Sequence, residues 1–107
     1  MRGSKNAAAH RWMDRVARIG CIACLLLGHG ESPAQLHHIR EERIARNDFL
    51  VLPLCDPHHA GEQPGVPSIH KRKAELLRQL GVQSEFDLLA IVIEKVEQQR
   101  PTTVGAR

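Results

Sequence analysis

A chain of 107 residues is long enough for one domain, and this one sets 15 Lys and Arg against 12 Asp and Glu, a net charge of +3. So mild an excess permits a polyanionic partner without requiring one. Two Phe, one Trp and no Tyr leave the interior to Leu, Ile, Val and Ala, and a core this modest gains from a metal staple. No apolar run approaches the ~20 residues of a membrane span, and Met1-Arg2-Gly3-Ser4-Lys5 lacks the apolar segment of a secretory signal. Three cysteines cannot complete a disulfide framework; they fit a reducing cytoplasm in which thiolates are free for zinc.

In chain order, Ala8, Trp12, Val16 and Ile19 recur at steps of three and four and predict a helix from about Lys5 to Ile19, with Arg11, Arg15 and Arg18 on its wet side. Gly20 is its stop. Cys21-x2-Cys24 reads as a tight zinc knuckle, followed by a short apolar stretch to Gly28-His29-Gly30. Pro33 to Ile39 predicts a short strand and Arg40 to Asp48 a charged loop. Phe49 to Leu54 predicts a buried strand ended or edged by Pro53. Asp56-Pro57 has the form of an N-cap with proline at the first helical position. The order is therefore strand, strand, helix, with His58 and His59 on the helix.

Gly61 to Pro67 is a loop. A further helix is expected from about Ser68 to Leu80, stopped by Gly81. Ser84-Glu85-Phe86-Asp87 has the form of a capping box opening a last helix to about Gln98, its apolar side Phe86, Leu89, Ile93 and Val96. Residues 100–107 show no periodicity and are expected to be a flexible tail.

The chemistry concentrates in the Cys and His residues. Cys21, Cys24, Cys55 and His58 make a C-x2-C…C-x2-H pattern, the ligand count and spacing of a closed tetrahedral site holding structural Zn2+. On a helix, His59 points about 100° away from His58 and is free of that set. His37, His38, His59 and His70 then remain as a cysteine-free group, better suited to an open, reactive metal. Adjacent strand residues face opposite ways, so His37 and His38 are expected to hold different jobs. Imidazole serves as a metal ligand and as a general base near neutral pH, and phosphodiester hydrolysis needs both. His10 and His29, isolated on a helix and in a turn, read as surface residues.

The succession Cys21-x2-Cys24, Leu36-His37-His38-Ile39, Leu52-Pro53-Leu54-Cys55 and His58-His59 resembles the HNH endonucleases, whose core is a two-stranded hairpin plus helix around one metal. The closer resemblance is to the Ref-type, RecA-dependent HNH nucleases of phages and prophages. Gly20-Cys21-Ile22-Ala23-Cys24, His37-His38-Ile39-Arg40, Gly65-x4-His70 and Gly81-x3-Glu85-x2-Leu88-Leu89 follow that family's order. The likeness covers about residues 6–96. It implies His38 as general base, His37 and His59 as ligands of a catalytic divalent ion (Mg2+ or Mn2+, or Zn2+), and His70 as a further ligand. It also implies DNA as substrate, with RecA-coated DNA as the associated partner, in a bacterial host cell. The asparagine after which HNH proteins are named usually stands where this chain has Leu50; Asn47 is the nearest candidate.

Arg40, Arg43 and Arg46 beside the histidines, and Lys71, Arg72 and Lys73 after His70, are the candidate phosphate contacts. The expectation is a single α+β nuclease domain over residues 1–107, folded over about 6–96. Its core would be the ββα-metal (His-Me finger) type, with a structural zinc knuckle and flanking helices. The competing reading is a non-catalytic zinc-binding module for DNA or protein.

Overall fold

In the computed structural model, which describes residues 2–99, helix α1 (Arg2–Ile19) stops at Gly20, whose φ of 83° is a conformation that favours glycine. A Cβ there would lie 2.8 Å from the Ser32 carbonyl oxygen, so this glycine lets the chain turn tightly into the cysteine pair. Val16 and Ile19 of the expected stripe are buried, while Arg11, Arg15 and Arg18 are exposed. The knuckle itself is a short helix, α2 (Ile22–Leu26), with Cys21 at its N-cap.

Strands β1 (Gln35–His38) and β2 (Val51–Leu54) pair antiparallel in the register Gln35↔Leu54, Leu36↔Pro53, His37↔Leu52 and His38↔Val51. Both are shorter than the sequence predicts. β2 is buried throughout, and Pro53 is tolerated because each strand of a two-stranded ribbon keeps an unpaired edge. Between the strands the charged loop contains one 3-10 turn, Glu41–Arg43.

Helix α3 (Asp56–His59) follows directly. Its cap is Cys55, not the expected Asp56. Cys55 stays extended at the end of β2, and its carbonyl already accepts from the His59 N–H at 2.8 Å, so the helix starts one residue early.

The next helix, α4 (Lys73–Leu80), begins five residues later than Ser68. The Ile69 N–H donates to the His58 carbonyl at 2.7 Å and the His70 N–H to the His59 carbonyl at 3.1 Å. Those bonds hold residues 69 and 70 alongside α3, and the helix begins only beyond them. Gly81, left-handed at φ 76°, closes α4.

Helix α5 (Glu85–Glu97) is capped by Ser84, whose Oγ accepts from the Asp87 N–H at 3.1 Å. Asp87 in turn accepts from the Gln83 N–H at 2.9 Å, so the box closes one residue outside the cap. The buried face is Glu85, Leu88, Leu89, Val92 and Val96, whereas Phe86 and Ile93 are exposed. The helix is apolar on two sides, and the sequence stripe took the wrong pair.

One cluster of aliphatic side chains, including Val16, Ile22, Ile39, Leu52, Leu54, Leu76, Leu88, Val92 and Val96, lies between the ribbon and the helices. Each such side chain contributes roughly 1.5–3 kcal/mol relative to exposure. The expected tail, 100–107, lies outside the described residues.

Candidate metal centres and active site

The knuckle before α2 and the β2–α3 junction converge on one point. His58 Nδ1 lies 3.6, 3.7 and 3.3 Å from the Sγ atoms of Cys21, Cys24 and Cys55, and the Cys24 and Cys55 sulfurs are 3.9 Å apart. A tetrahedral zinc with the usual bond lengths spaces sulfurs about 3.8 Å apart and sulfur from nitrogen about 3.6 Å. The four side chains therefore fit the edges of a zinc tetrahedron and could hold a structural metal of that kind. All three cysteines are free thiols, and the Cys24 N–H already donates to Cys21 Sγ at 3.4 Å, a bond that steadies a thiolate ligand. Without a cation, burial pushes the Cys21 thiol up to about 12.

His37, His59 and His70 form a second cluster. Their ring centroids are 4.8 to 5.5 Å apart. Period-two geometry puts Gln35 and His37 on one side of β1, and α3 packs across it. There Gln35 Oε1 accepts from His59 Nδ1 at 2.7 Å, which leaves His59 Nε2 as a lone pair facing His70 Nε2 at 3.2 Å. Two nitrogens bound about 2.1 Å from one ion stand about 3.0–3.4 Å apart, so the pair has ligand spacing. Burial, and then the neighbouring His70 and His37, hold His59 below its ordinary value, which favours the neutral form that binds metal.

His38 turns away from this cluster. Its Nε2 lies 2.8 Å from Asp48 Oδ1, a partner that the sequence did not indicate. The turn carrying Asp48 is fixed from several sides. Asn47 Oδ1 accepts from the Phe49 N–H at 2.8 Å, the Phe49 carbonyl accepts from Trp12 Nε1 at 3.1 Å, and Leu50 N–H returns to the Asn47 carbonyl at 3.0 Å. Asn47 thus builds the turn, and Asp48 touches the histidine.

The family model described as "Recombination enhancement, RecA-dependent nuclease" matches residues 5–96. The chain belongs to that family. A search of the curated proteins gave no significant match.

In this RecA-dependent nuclease family member the basic residues fall into two groups. Arg40, Arg43 and Arg46 are exposed on the loop between the strands, with Arg46 Nε 4.0 Å from Asp48 Oδ1. The other three are each engaged with acids: Lys71 with Glu62 at 2.7 Å, Arg72 with Glu75 at 2.7 Å, and Lys73 with Glu85 at 3.0 Å and Glu41 at 3.5 Å.

Three partners of the histidines were not read from sequence. Gln35 was findable, two residues before His37 on the same strand face. Asp48 sits in a charged loop with no local signal, and Glu85, whose Oε1 lies 2.9 Å from His37 Nε2, stands in the capping motif and the Gly81-x3-Glu85 pattern without pointing to a histidine. No helix among the described residues is long and apolar enough to cross a membrane.

Proposed function

We propose that the chain is a metal-dependent HNH endonuclease hydrolysing DNA phosphodiester bonds in recombination, acting on RecA-coated DNA in a bacterial host as a single nuclease domain. The observation that carries this reading is the adjacency of two histidine arrangements on one strand. His37 joins His59 and His70 in a cluster of ligand spacing, and His38, the next residue, is held by a carboxylate instead. The ribbon followed by α3 has the strand–strand–helix order that a ββα-metal frame would need.

In this reading Asp48 accepts a hydrogen bond from His38 Nε2–H and leaves Nδ1 as the base. It draws a proton from the water that attacks phosphorus, and the carboxylate steadies the imidazolium that results. His37, His59 and His70 would hold the divalent ion, which supplies electrostatic stabilisation of the phosphate and the departing oxygen. Three imidazole nitrogens suit Zn2+ or another transition ion better than Mg2+, which prefers oxygen. Cys21, Cys24, Cys55 and His58 would hold a structural zinc, which would tie α2 to the β2–α3 junction. Arg40, Arg43 and Arg46 lie beside the histidines and neutralise backbone phosphates without reading bases.

Cleavage of plasmid and of RecA-coated DNA, with Mn2+ or Mg2+ and with EDTA, tests the proposal. Metal-dependent nicking is the expected result. DNA binding without cleavage under every metal condition would instead make the chain a zinc-binding interaction module.

A further inference from the structure

Glu85 is a carboxylate in the wrong place for a surface residue. It opens α5, yet only 3 % of its surface is exposed, and Oε1 lies 2.9 Å from His37 Nε2. Its other oxygen, Oε2, accepts from Lys73 Nζ at 3.0 Å. Lys73 also reaches Glu41 at 3.5 Å, and Glu41 Oε2 accepts from the backbone N–H of Glu85 itself at 2.8 Å. Both carboxylate oxygens and the main-chain donor of Glu85 are therefore engaged by partners from three separate segments.

We propose that Glu85 is the positioning residue for His37, and that Lys73 and Glu41 hold it there. This rests on the reading that His37, His59 and His70 bind a divalent ion. A carboxylate can only accept, so Nε2 of a neutral His37 must carry the proton, and Nδ1 keeps the lone pair. The bond also fixes the ring about its axis and strengthens Nδ1 as a donor, as partners behind metal-bound histidines do. Burying a carboxylate costs several kcal/mol unless it is paired and hydrogen-bonded. Lys73 meets that need, which assigns Lys73 to the metal site instead of the DNA surface.

His37 and His59 are then matched. Gln35 accepts a hydrogen bond from His59 Nδ1–H, and Glu85 accepts one from His37 Nε2–H. The neutral amide fixes orientation alone, whereas the carboxylate also places a negative charge behind the ring.

Binding of Mn2+ to the zinc-loaded protein, followed by the loss of the free-ion signal in electron paramagnetic resonance, reads the effect without cleavage. Glu85→Gln keeps the shape and removes the charge. It is expected to weaken Mn2+ binding roughly 10- to 100-fold with its melting temperature and zinc content close to wild type, and Lys73→Met to weaken it in the same direction. Glu85→Gln that folds and binds Mn2+ like wild type, beside a His59→Ala that does not bind, overturns the proposal and leaves the three-histidine site standing. Wild type and His59→Ala binding equally would overturn both. A proton–nitrogen correlation spectrum of the wild-type imidazoles needs no variant: His37 is expected as the Nε2–H tautomer, and the Nδ1–H tautomer would overturn the assignment.

Discussion

Asp48 Oδ1 lies 2.8 Å from His38 Nε2, and so joins the turn before β2 to the end of β1. Asp48 is half exposed, with 43 % of its side chain open, while His38 shows only 14 %. The carboxylate is thus open to solvent, while the imidazole is largely covered. A carboxylate on one imidazole nitrogen sets the tautomer and leaves the other nitrogen basic.

Asp48→Asn is therefore expected to keep the fold, because the turn is held by Asn47, Phe49 and Trp12. Its cleavage rate should drop by roughly 10- to 100-fold, less than for loss of the base itself. Single-turnover cleavage at saturating metal is the measurement. An unchanged rate would make Asp48 an incidental neighbour.

His59→Ala and His70→Ala should fail differently. Each removes one nitrogen from the ion and leaves His38 and Asp48 intact, so higher Mn2+ should restore part of the cleavage. A metal titration of the cleavage rate checks this. His59→Ala that stays inactive at any metal concentration while still binding DNA would argue against ligation by His59.

The strand–strand–helix order and the cysteine site were legible because their signals are local. Cys21 and Cys24 sit three positions apart, as do Cys55 and His58, and the turn residues Gly20 and Gly81 mark helix ends. His70 was assigned to the site by resemblance while its backbone was expected to be helical. Hydrogen bonds from residues 69 and 70 to α3 decide that backbone, and they arise only in the folded chain. Asp48 and Glu85 were illegible for the same reason: Glu85 is 48 residues from His37. The apolar face of α5 was misjudged because Phe86 and Ile93 compete with Leu88 and Val92 at equal helical spacing, and only docking chooses between them.

The metal-stripped chain should be most stable in a narrow pH range. Burial raises Cys21 from 9.0 to about 12 and also raises Cys55. The unfolded chain therefore releases thiol protons first, and stability is lost as pH rises through 9.0. Burial holds His58 and His59 below 6.5. The unfolded chain then takes up protons first, and stability present above 6.5 is lost as pH falls below it. Thermal melts in EDTA should thus peak between the two values. Zinc should remove the alkaline decline, since it binds the thiolates. Cys24→Ser should lose zinc and melt at a markedly lower temperature than the zinc-loaded protein; a zinc-free Cys24→Ser protein that melts like zinc-loaded wild type would contradict the staple.

DNA affinity should fall steeply with salt, and replacing Arg40, Arg43 and Arg46 with Ala should reduce the salt slope by roughly one unit per phosphate contact. Lys71 and Arg72, already paired with Glu62 and Glu75, should contribute less. Fluorescence anisotropy with duplexes of unrelated sequence checks both statements. A slope unchanged by the arginine replacements would return that loop to solvent.

The most direct test is the cleavage rate of His38→Ala on RecA-coated DNA, measured across pH at saturating Mn2+. The variant should keep the fold, zinc and DNA binding, yet cut roughly 10²–10⁴-fold more slowly than wild type, with no rescue by added metal. His38→Ala cutting at the wild-type rate, or recovering with Mn2+ as His59→Ala should, would contradict a general base at His38.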